Sequence, residues 1–125
     1  MDSKNGLLVV VSTLLLASCS TQPAQTSRQA VSCAERLQLA QKANDFASRN
    51  FTKTYANDVR GAEAQLFLIQ ERGPGSFSAN YNAAERDYVD NLQAANTTGC
   101  DTSGYPLSPI AEFKQRLDQL KGAQH

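Results

Sequence analysis

Histidine is nearly absent from this sequence: the chain of 125 residues has one, His125, at its C-terminus. Catalysis by a nucleophile paired with histidine is therefore close to excluded, because terminal residues fray. The sequence also lacks a Cys-x-x-Cys pair, a Gly-rich phosphate loop, a Gly-x-Ser-x-Gly elbow and a cluster of metal ligands. We expect no metal, no cofactor and no catalytic residue, so the sequence predicts a protein that is not an enzyme.

A surplus of charge of either sign is missing as well. The chain has 12 basic and 12 acidic side chains and a formal net charge of zero at pH 7. Such a balance provides no electrostatic steering toward nucleic acid or an anionic lipid surface. A nucleic-acid partner is therefore not expected.

The N-terminal apolar run is too short to cross a bilayer as a helix, which takes about 20 apolar residues. This run, Leu7 to Leu16, follows Lys4 and precedes the small residues Ala17 and Ser18. It has the length and the flanks of the apolar region of a secretory signal peptide. The alternatives are an N-terminal core helix and a membrane anchor.

The residues Leu16-Ala17-Ser18-Cys19 match all four positions of a lipobox, and in these residues the chain resembles bacterial lipoproteins. The resemblance implies that residues 1–18 are a signal peptide and that Cys19 receives a diacylglycerol and becomes the mature N-terminus. Two or three acyl chains hold a protein stably, since each buried methylene contributes about 0.8 kcal/mol. Ser20, rather than Asp, follows the cysteine, and in diderm lipoproteins this implies the periplasmic face of the outer membrane.

Residues 19–31 have the composition of a flexible tether behind the lipid. They are rich in Ser, Thr, Gln and Ala and contain one charged residue, Arg28. Such a segment is solvated and cannot bury a core. A dozen residues extend to at most about 40 Å, so the domain predicted for residues 32–125 would stand off the membrane in the periplasm.

Acylation of Cys19 leaves two of the three cysteines, Cys33 and Cys100. In an oxidising periplasm, an even pair in a small domain predicts a disulfide. A redox or metal-binding role for the pair has no support, because the accompanying ligands are missing.

Four amphipathic segments predict an all-α fold, a small compact bundle of about four helices. The first begins with the capping box Ser32-Cys33-Ala34-Glu35 and runs to about Asn50. The second spans about Tyr55 to Arg72, the third about Asn80 to Ala95, and the fourth begins at Ser108-Pro109 and ends at Gly122.

Some features inside these segments leave alternatives open. The four residues Leu66 to Ile69 could form a short buried strand, since a short apolar run does not discriminate strand from helix. Leu39 is expected to widen the apolar face of the first helix, and Phe67 to make the last turns of the second broadly apolar. Gly73 is expected to end the second helix at the C′ position.

The predicted disulfide conflicts with a regular up-down order of helices. That order places the start of the first helix and the end of the third at opposite ends of the bundle. The conflict is relieved if the second helix is short and crosses over, or if Thr97 to Cys100 folds back along the bundle.

Two loop regions are candidate partner-binding surfaces. The first contains Arg72 and Phe77 on either side of Gly73-Pro74-Gly75, and the second is the Pro-rich stretch that begins at Tyr105. The alternatives are structural and favoured: Phe77 would pack as a hydrophobic staple on the third helix. Tyr105 would belong to an extended connector that covers one end of the core.

Carboxylates are the remaining candidates for chemistry. Glu71, Glu85 and Asp87 could form a glycan-cleaving pair if two of them faced each other in a cleft. Residues of this kind are more often solvated charges on a helix face.

These features favour an outer-membrane lipoprotein that acts as a non-enzymatic protein-binding or assembly factor, such as an accessory or pilot lipoprotein of a secretion or conjugation system. That hypothesis predicts an apolar groove wider than a few hundred Å² that takes an amphipathic partner helix. The alternative is an inhibitor or exclusion lipoprotein, which predicts a protruding loop at Gly73 to Phe77. A cell-wall glycan hydrolase is the third, less favoured hypothesis.

Overall fold

The computed structural model describes residues 31–123, and in this part of the chain it has four α-helices and no strand. The helices are α1 (Cys33–Tyr55), α2 (Val59–Gln70), α3 (Ser76–Thr97) and α4 (Pro109–Ala123). The predicted all-α bundle is confirmed, and the four residues that could have formed a strand are helical. The predicted signal peptide, Cys19, nearly all of the tether and His125 lie outside the described residues.

The two longest helices, α1 and α3, pack antiparallel. Near one end, the Asn91 side-chain amide donates to the Arg36 carbonyl at 2.8 Å. At the other end, the rings of Tyr55 and Phe77 have centroids 5.5 Å apart. The start of α1 therefore lies beside the end of α3, and the disulfide between Cys33 and Cys100 joins them there, with 5.5 Å between the Cα atoms.

A short second helix makes this arrangement possible. α2 has 12 residues, about half as many as α1 or α3. It lies across the end of the bundle where α1 ends and α3 begins, with Gln65 accepting from the Tyr55 hydroxyl at 3.0 Å. The Asn82 side chain on α3 donates to the carbonyl of Ile69, also at 3.0 Å. Of the two arrangements that would allow the predicted disulfide, the structure therefore shows the one with a short second helix that crosses over.

Aromatic rings fill the centre of the bundle. Tyr81 is fully buried and stacks on Phe77 with 4.9 Å between ring centroids, while Phe113 of α4 meets Phe51 of α1 edge-on at the same distance. Each such pair contributes about 1 kcal/mol beyond the burial of its apolar area. The Tyr81 hydroxyl donates to the carbonyl of Ala47 at 2.6 Å, which satisfies the polar end of a buried ring.

A buried carboxylate joins α4 to α1. Glu112 is 7% exposed and accepts hydrogen bonds from the Asn44 amide at 2.8 Å and from Arg116 Nε at 2.7 Å. Arg116 also donates to the hydroxyl of Ser48 at 2.6 Å. Because buried carboxylates are costly unless they are paired, this network fixes how α4 lies on α1.

The helix starts follow capping chemistry. The capping box of α1 is confirmed: Glu35 N donates to Ser32 Oγ at 3.1 Å, and Ser32 N donates to the Glu35 carboxylate at 3.2 Å. At α4, Ala111 N donates to Ser108 Oγ at 3.3 Å. Both starts lie where the sequence predicts them, because short-range side-chain bonds determine them.

The boundaries of α1 and α2 differ from the prediction. α1 continues to Tyr55, beyond the predicted end near Asn50, because Tyr55 and Phe51 both pack against Phe113. α2 begins at Val59 instead of Tyr55, since Asp58 caps it by accepting from Gly61 N at 2.8 Å.

α3 begins four residues earlier than predicted, at Ser76 instead of Asn80. Gly75 precedes it with a φ of +117°, a conformation that favours glycine. Phe77 therefore lies inside the helix, where it packs into the core, and is not a staple outside it. Burial of this aromatic ring favours the additional helical turn.

Two apolar side chains expected in the core lie at the surface. Leu39 is 47% exposed and Phe67 is 62% exposed. α1 is covered on one side by α3 and α4, so Leu39 lies at the edge of the covered face. Phe67 lies on the outer face of α2, where no other described element reaches it.

Candidate functional site

A groove of 640 Å³ lies between the end of α2, one face of α3 and the first turns of α4. Its apolar lining includes Ile69, which is fully buried, Ile110, which is half-buried, and Val89, which is 47% exposed. Val89 is apolar surface beside the concave lining, next to the half-buried Ile110.

The polar groups that build the groove wall are satisfied within the protein. The Ser78 hydroxyl donates to the Gly73 carbonyl at 2.8 Å, and the Asn82 amide donates to the carbonyls of Ile69 and Ser78 at 3.0 Å. These bonds hold the turn between α2 and α3 against the start of α3. The wall is therefore preformed, which lowers the cost of ordering it when a ligand binds.

Glu85 belongs to the groove wall and has a structural role. Its carboxylate accepts a hydrogen bond at 2.9 Å from the backbone N–H of Ile110, in the first turn of α4. A carboxylate at a helix N-terminus satisfies a free amide and complements the helix dipole. The sequence placed Glu85 on the solvated face of its helix, and this was wrong: the side chain is half-buried and ties α3 to α4.

Three exposed basic side chains surround the groove, each from a different element: Arg72 from the α2–α3 turn, Arg86 from α3 and Lys114 from α4. None of the three forms an ion pair with any residue of the described range. The ion pairs in that range join Arg116 to Glu112 and Lys121 to Glu63, away from the groove. Asp90 is the exposed acidic residue of the lining.

The backbone of Arg72 is in the left-handed region, with a φ of +55°. Arg72 N donates to the Ile69 carbonyl at 3.2 Å, and Gly73 N donates to the Leu68 carbonyl at 2.8 Å, which together form a Schellman motif. The prediction that Gly73 occupies the C′ position was wrong, since Arg72 occupies it. Gly73 instead lies against Leu68, whose Cδ2 would be 2.7 Å from an added Cβ.

The structure does not bring the predicted partner-binding residues together. Arg72 lines the groove, whereas the ring of Phe77 lies in the aromatic core. Tyr105 is half-buried in the connector before α4, and its hydroxyl has no hydrogen-bond partner among residues 31–123. Burial raises the pKa of nearby Tyr88, and the charges of Glu85 and Tyr105 add to that effect. A role in partner binding for these residues stays a prediction.

The three candidate carboxylates are also apart. Glu71 is exposed at the end of α2, and Glu85 is bonded to α4. Asp87 lines a second groove, of 410 Å³, between α1 and α3, together with the exposed Leu39. Glu71, Glu85 and Asp87 therefore do not form the pair of facing carboxylates that glycan cleavage needs.

Arg86, Val89 and Lys114 line the groove but were not among the site residues predicted from the sequence. A signal was present, because Arg86 and Val89 are three residues apart on α3, and Ile110 and Lys114 are four apart on α4. Such spacings place side chains on one helix face. Which faces meet across the groove depends on the packing of three elements, which the spacing does not contain.

No group of three or more His, Cys, Asp or Glu side chains within residues 31–123 is arranged to hold a metal ion. None of the helices in this range combines the length and the apolar character that a membrane span requires.

Protein-family models, curated proteins and solved structures contain no match to this chain. The candidate site is therefore defined by its own residues: an apolar groove, surrounded by Arg72, Arg86 and Lys114, on a disulfide-linked bundle of four helices.

Proposed function

We propose that this protein is a lipoprotein of the bacterial outer membrane that binds a protein partner in the periplasm and has no enzymatic activity. The lipobox ending at Cys19 carries the proposal, because it assigns both an anchor and a compartment. The disulfide between Cys33 and Cys100 supports the same compartment, since structural disulfides persist in oxidising environments. Accessory and pilot lipoproteins of secretion or conjugation systems are the kind of protein that this proposal describes.

The preformed groove supports binding of a protein segment. It combines apolar side chains with basic groups around them, as binding sites on protein surfaces commonly do. Its exposed apolar surface is smaller than the few hundred Å² expected for a docked amphipathic helix. The groove therefore favours a short segment of the partner over a whole helix face.

The geometry gives less support to an inhibitor or exclusion lipoprotein. That hypothesis needs a protruding loop between Gly73 and Phe77, but the turn is short and α3 already begins at Ser76. The ring of Phe77 packs in the core, so it is not presented to a partner. The separation of Glu71, Glu85 and Asp87 argues against a glycan hydrolase.

Affinity capture of the lipidated protein from crosslinked cell envelopes tests the proposal. The matched control is a bait in which residues 1–31 are fused to an unrelated soluble domain, since it carries the same anchor and tether. We expect a secretion-core or other envelope assembly protein to be enriched on the full protein over the control. Recovery of peptidoglycan hydrolases alone, or of the same proteins on both baits, would contradict it.

A further inference from the structure

We propose that the groove between α2, α3 and α4 binds a short acidic segment of the partner protein, with an apolar side chain next to its carboxylates. This inference rests on the proposed function and adds the chemistry of the partner. The first observation is the charge of the groove. Arg72, Arg86 and Lys114 surround it, and none is paired with a residue of the described chain.

Two carboxylates, Glu85 and Asp90, line the groove together with these three cations, which leaves a surplus of one positive charge. The Glu85 carboxylate is occupied by the backbone amide of Ile110 at 2.9 Å. Glu85 keeps its negative charge, but its carboxylate is half-buried and directed to the start of α4, so the exposed charges of the lining are three cations and Asp90. Because the chain as a whole is neutral, this local surplus is a property of the groove and not of a generally basic protein.

The conformation of Arg72 is the second observation. An L-residue with a φ of +55° is less stable than glycine would be there, by about 1 kcal/mol. Strained positions of this kind cluster at binding sites, where the side chain has a use that offsets the strain. Here the arginine side chain places a guanidinium beside the groove, which glycine could not do, and a guanidinium binds carboxylates well.

The apolar lining of the groove indicates which kind of side chain accompanies the carboxylates of the ligand. Val89 is 47% exposed and Ile110 is half-buried, so the ligand brings an apolar side chain to cover them. A space of 640 Å³ lies within the range of about 300–1,000 Å³ that is typical of sites for small ligands, so it takes a short segment and not a whole helix. An anionic bilayer is a poorer fit, because the surface is concave and Asp90 on its edge would repel a continuous sheet of negative charge.

Selection from a random peptide library displayed on phage tests the inference directly. The target is the full lipidated protein in discs of neutral phosphatidylcholine, and the comparison target is the double variant Arg86→Gln/Lys114→Gln. We expect the wild-type protein to enrich peptides in which Asp or Glu flanks Leu, Ile or Phe, and the double variant to lose them. Enrichment of neutral or basic peptides, or of the same set on both proteins, would overturn the inference.

The affinity of the best selected peptide then separates binding from stability. The double variant should weaken binding about tenfold or more, whereas Lys53→Gln/Arg60→Gln, which removes exposed cations outside the groove, should leave it unchanged. Arg72→Gly should weaken binding while raising thermal stability, an outcome that a purely structural residue would not give. Equal losses in the groove variant and the control would contradict the assignment.

Two further measurements separate this inference from the proposed function and from lipid binding. If the Arg86→Gln/Lys114→Gln variant still captures the wild-type partner from envelopes, the function stands and the inference fails. If no partner is captured although acidic peptides bind, the proposed function fails instead. If the wild-type protein binds vesicles containing phosphatidylglycerol, the Arg86→Gln/Lys114→Gln variant does not, and no acidic peptides are selected, the groove binds lipid and the inference is overturned.

Discussion

Cys33 and Cys100 are separated by 67 residues in sequence, and their Cα atoms lie 5.5 Å apart. Cys33 is the first residue of α1, and Cys100 follows the end of α3, so the bond joins the two longest helices at one end. The bond therefore fixes the first turn of α1 against the segment that follows α3.

Replacing Cys33 with serine should lower the free energy of unfolding by about 4 kcal/mol under oxidising conditions, according to the loop-entropy model. The physical reason is that the crosslink restricts the unfolded chain over most of the domain. Urea unfolding followed by circular dichroism measures the change. Cys100→Ser and the double variant should show the same loss, because one bond is removed in each case.

Reduction is the control for this prediction. A thiol reductant should bring the wild-type protein to the stability of the variants and change the variants little. Additive losses in the double variant would show that the cysteines stabilise the protein separately and would contradict the account.

Arg72→Gly should raise the free energy of unfolding by about 1 kcal/mol, because glycine adopts the left-handed conformation of this position without strain. Gly75 provides the matched opposite change. It has a φ of +117° and no atom within 4 Å of an added Cβ, so Gly75→Ala should destabilise through backbone strain alone. Thermal unfolding should show a higher melting temperature for Arg72→Gly and a lower one for Gly75→Ala than for the wild type. A loss of stability in Arg72→Gly would contradict the assigned C′ position.

Tyr81→Phe should destabilise the protein by about 1 kcal/mol at neutral pH, since it removes a buried hydrogen bond from the hydroxyl to the Ala47 carbonyl, which keeps only its bond within the helix. The measurement is urea unfolding at neutral pH. A variant as stable as the wild type would contradict the role of this hydrogen bond.

The same residue predicts how stability depends on pH. Burial raises the pKa of Tyr81 well above its ordinary value of 10.0, and the charges of Glu112 and Tyr55 add to the effect. Above pH 10 the unfolded chain loses this proton while the folded protein keeps it, so the stability falls as the pH rises. Urea midpoints from neutral pH to about pH 11 should fall less steeply in Tyr81→Phe than in the wild type. Equal slopes would contradict the prediction.

Glu112→Ala should cost about 2 kcal/mol, because it removes the acceptor that Asn44 and Arg116 share in a largely buried network. Glu63 provides a control of the same residue type. Its ion pair with Lys121 is at the surface, with side chains 49% and 42% exposed, so Glu63→Ala should cost about 0.5 kcal/mol or less. Chemical unfolding of both variants compares them directly, and equal losses would show that the Glu112 network does not hold α4.

The features of the fold that the sequence predicted correctly depend on local chemistry. The capping box at Ser32 and Glu35 and the N-cap at Ser108 each involve bonds across three residues. The apolar spacing predicted four helices because each helix buries one face. The pairing of Cys33 with Cys100 followed from counting cysteines once Cys19 was assigned to lipid.

The features that were predicted incorrectly depend on contacts between elements. Gly73 was expected at the C′ position of α2, but Arg72 occupies it in the left-handed conformation, and Gly73 lies one residue later, against Leu68. The expectation that Phe77 packs into the bundle is confirmed, but it was expected before the start of α3, and it lies in the first turn of that helix, stacked on Tyr81. The basic groove could not be predicted, because its residues come from α3, α4 and a turn that packing alone brings together.

Acylation of Cys19 is the central prediction of the proposed function, because the anchor would assign the compartment in which the partner is sought. Mass spectrometry of the N-terminal peptide from purified membranes tests it, together with a Cys19→Ser variant fractionated after an alkaline wash. We predict a mature protein that begins at an acylated Cys19 and sediments with membranes, and a variant that is released from them. A wild-type chain that retains residues 1–18 or carries an unmodified Cys19, or a Cys19→Ser variant that still sediments, would contradict the account.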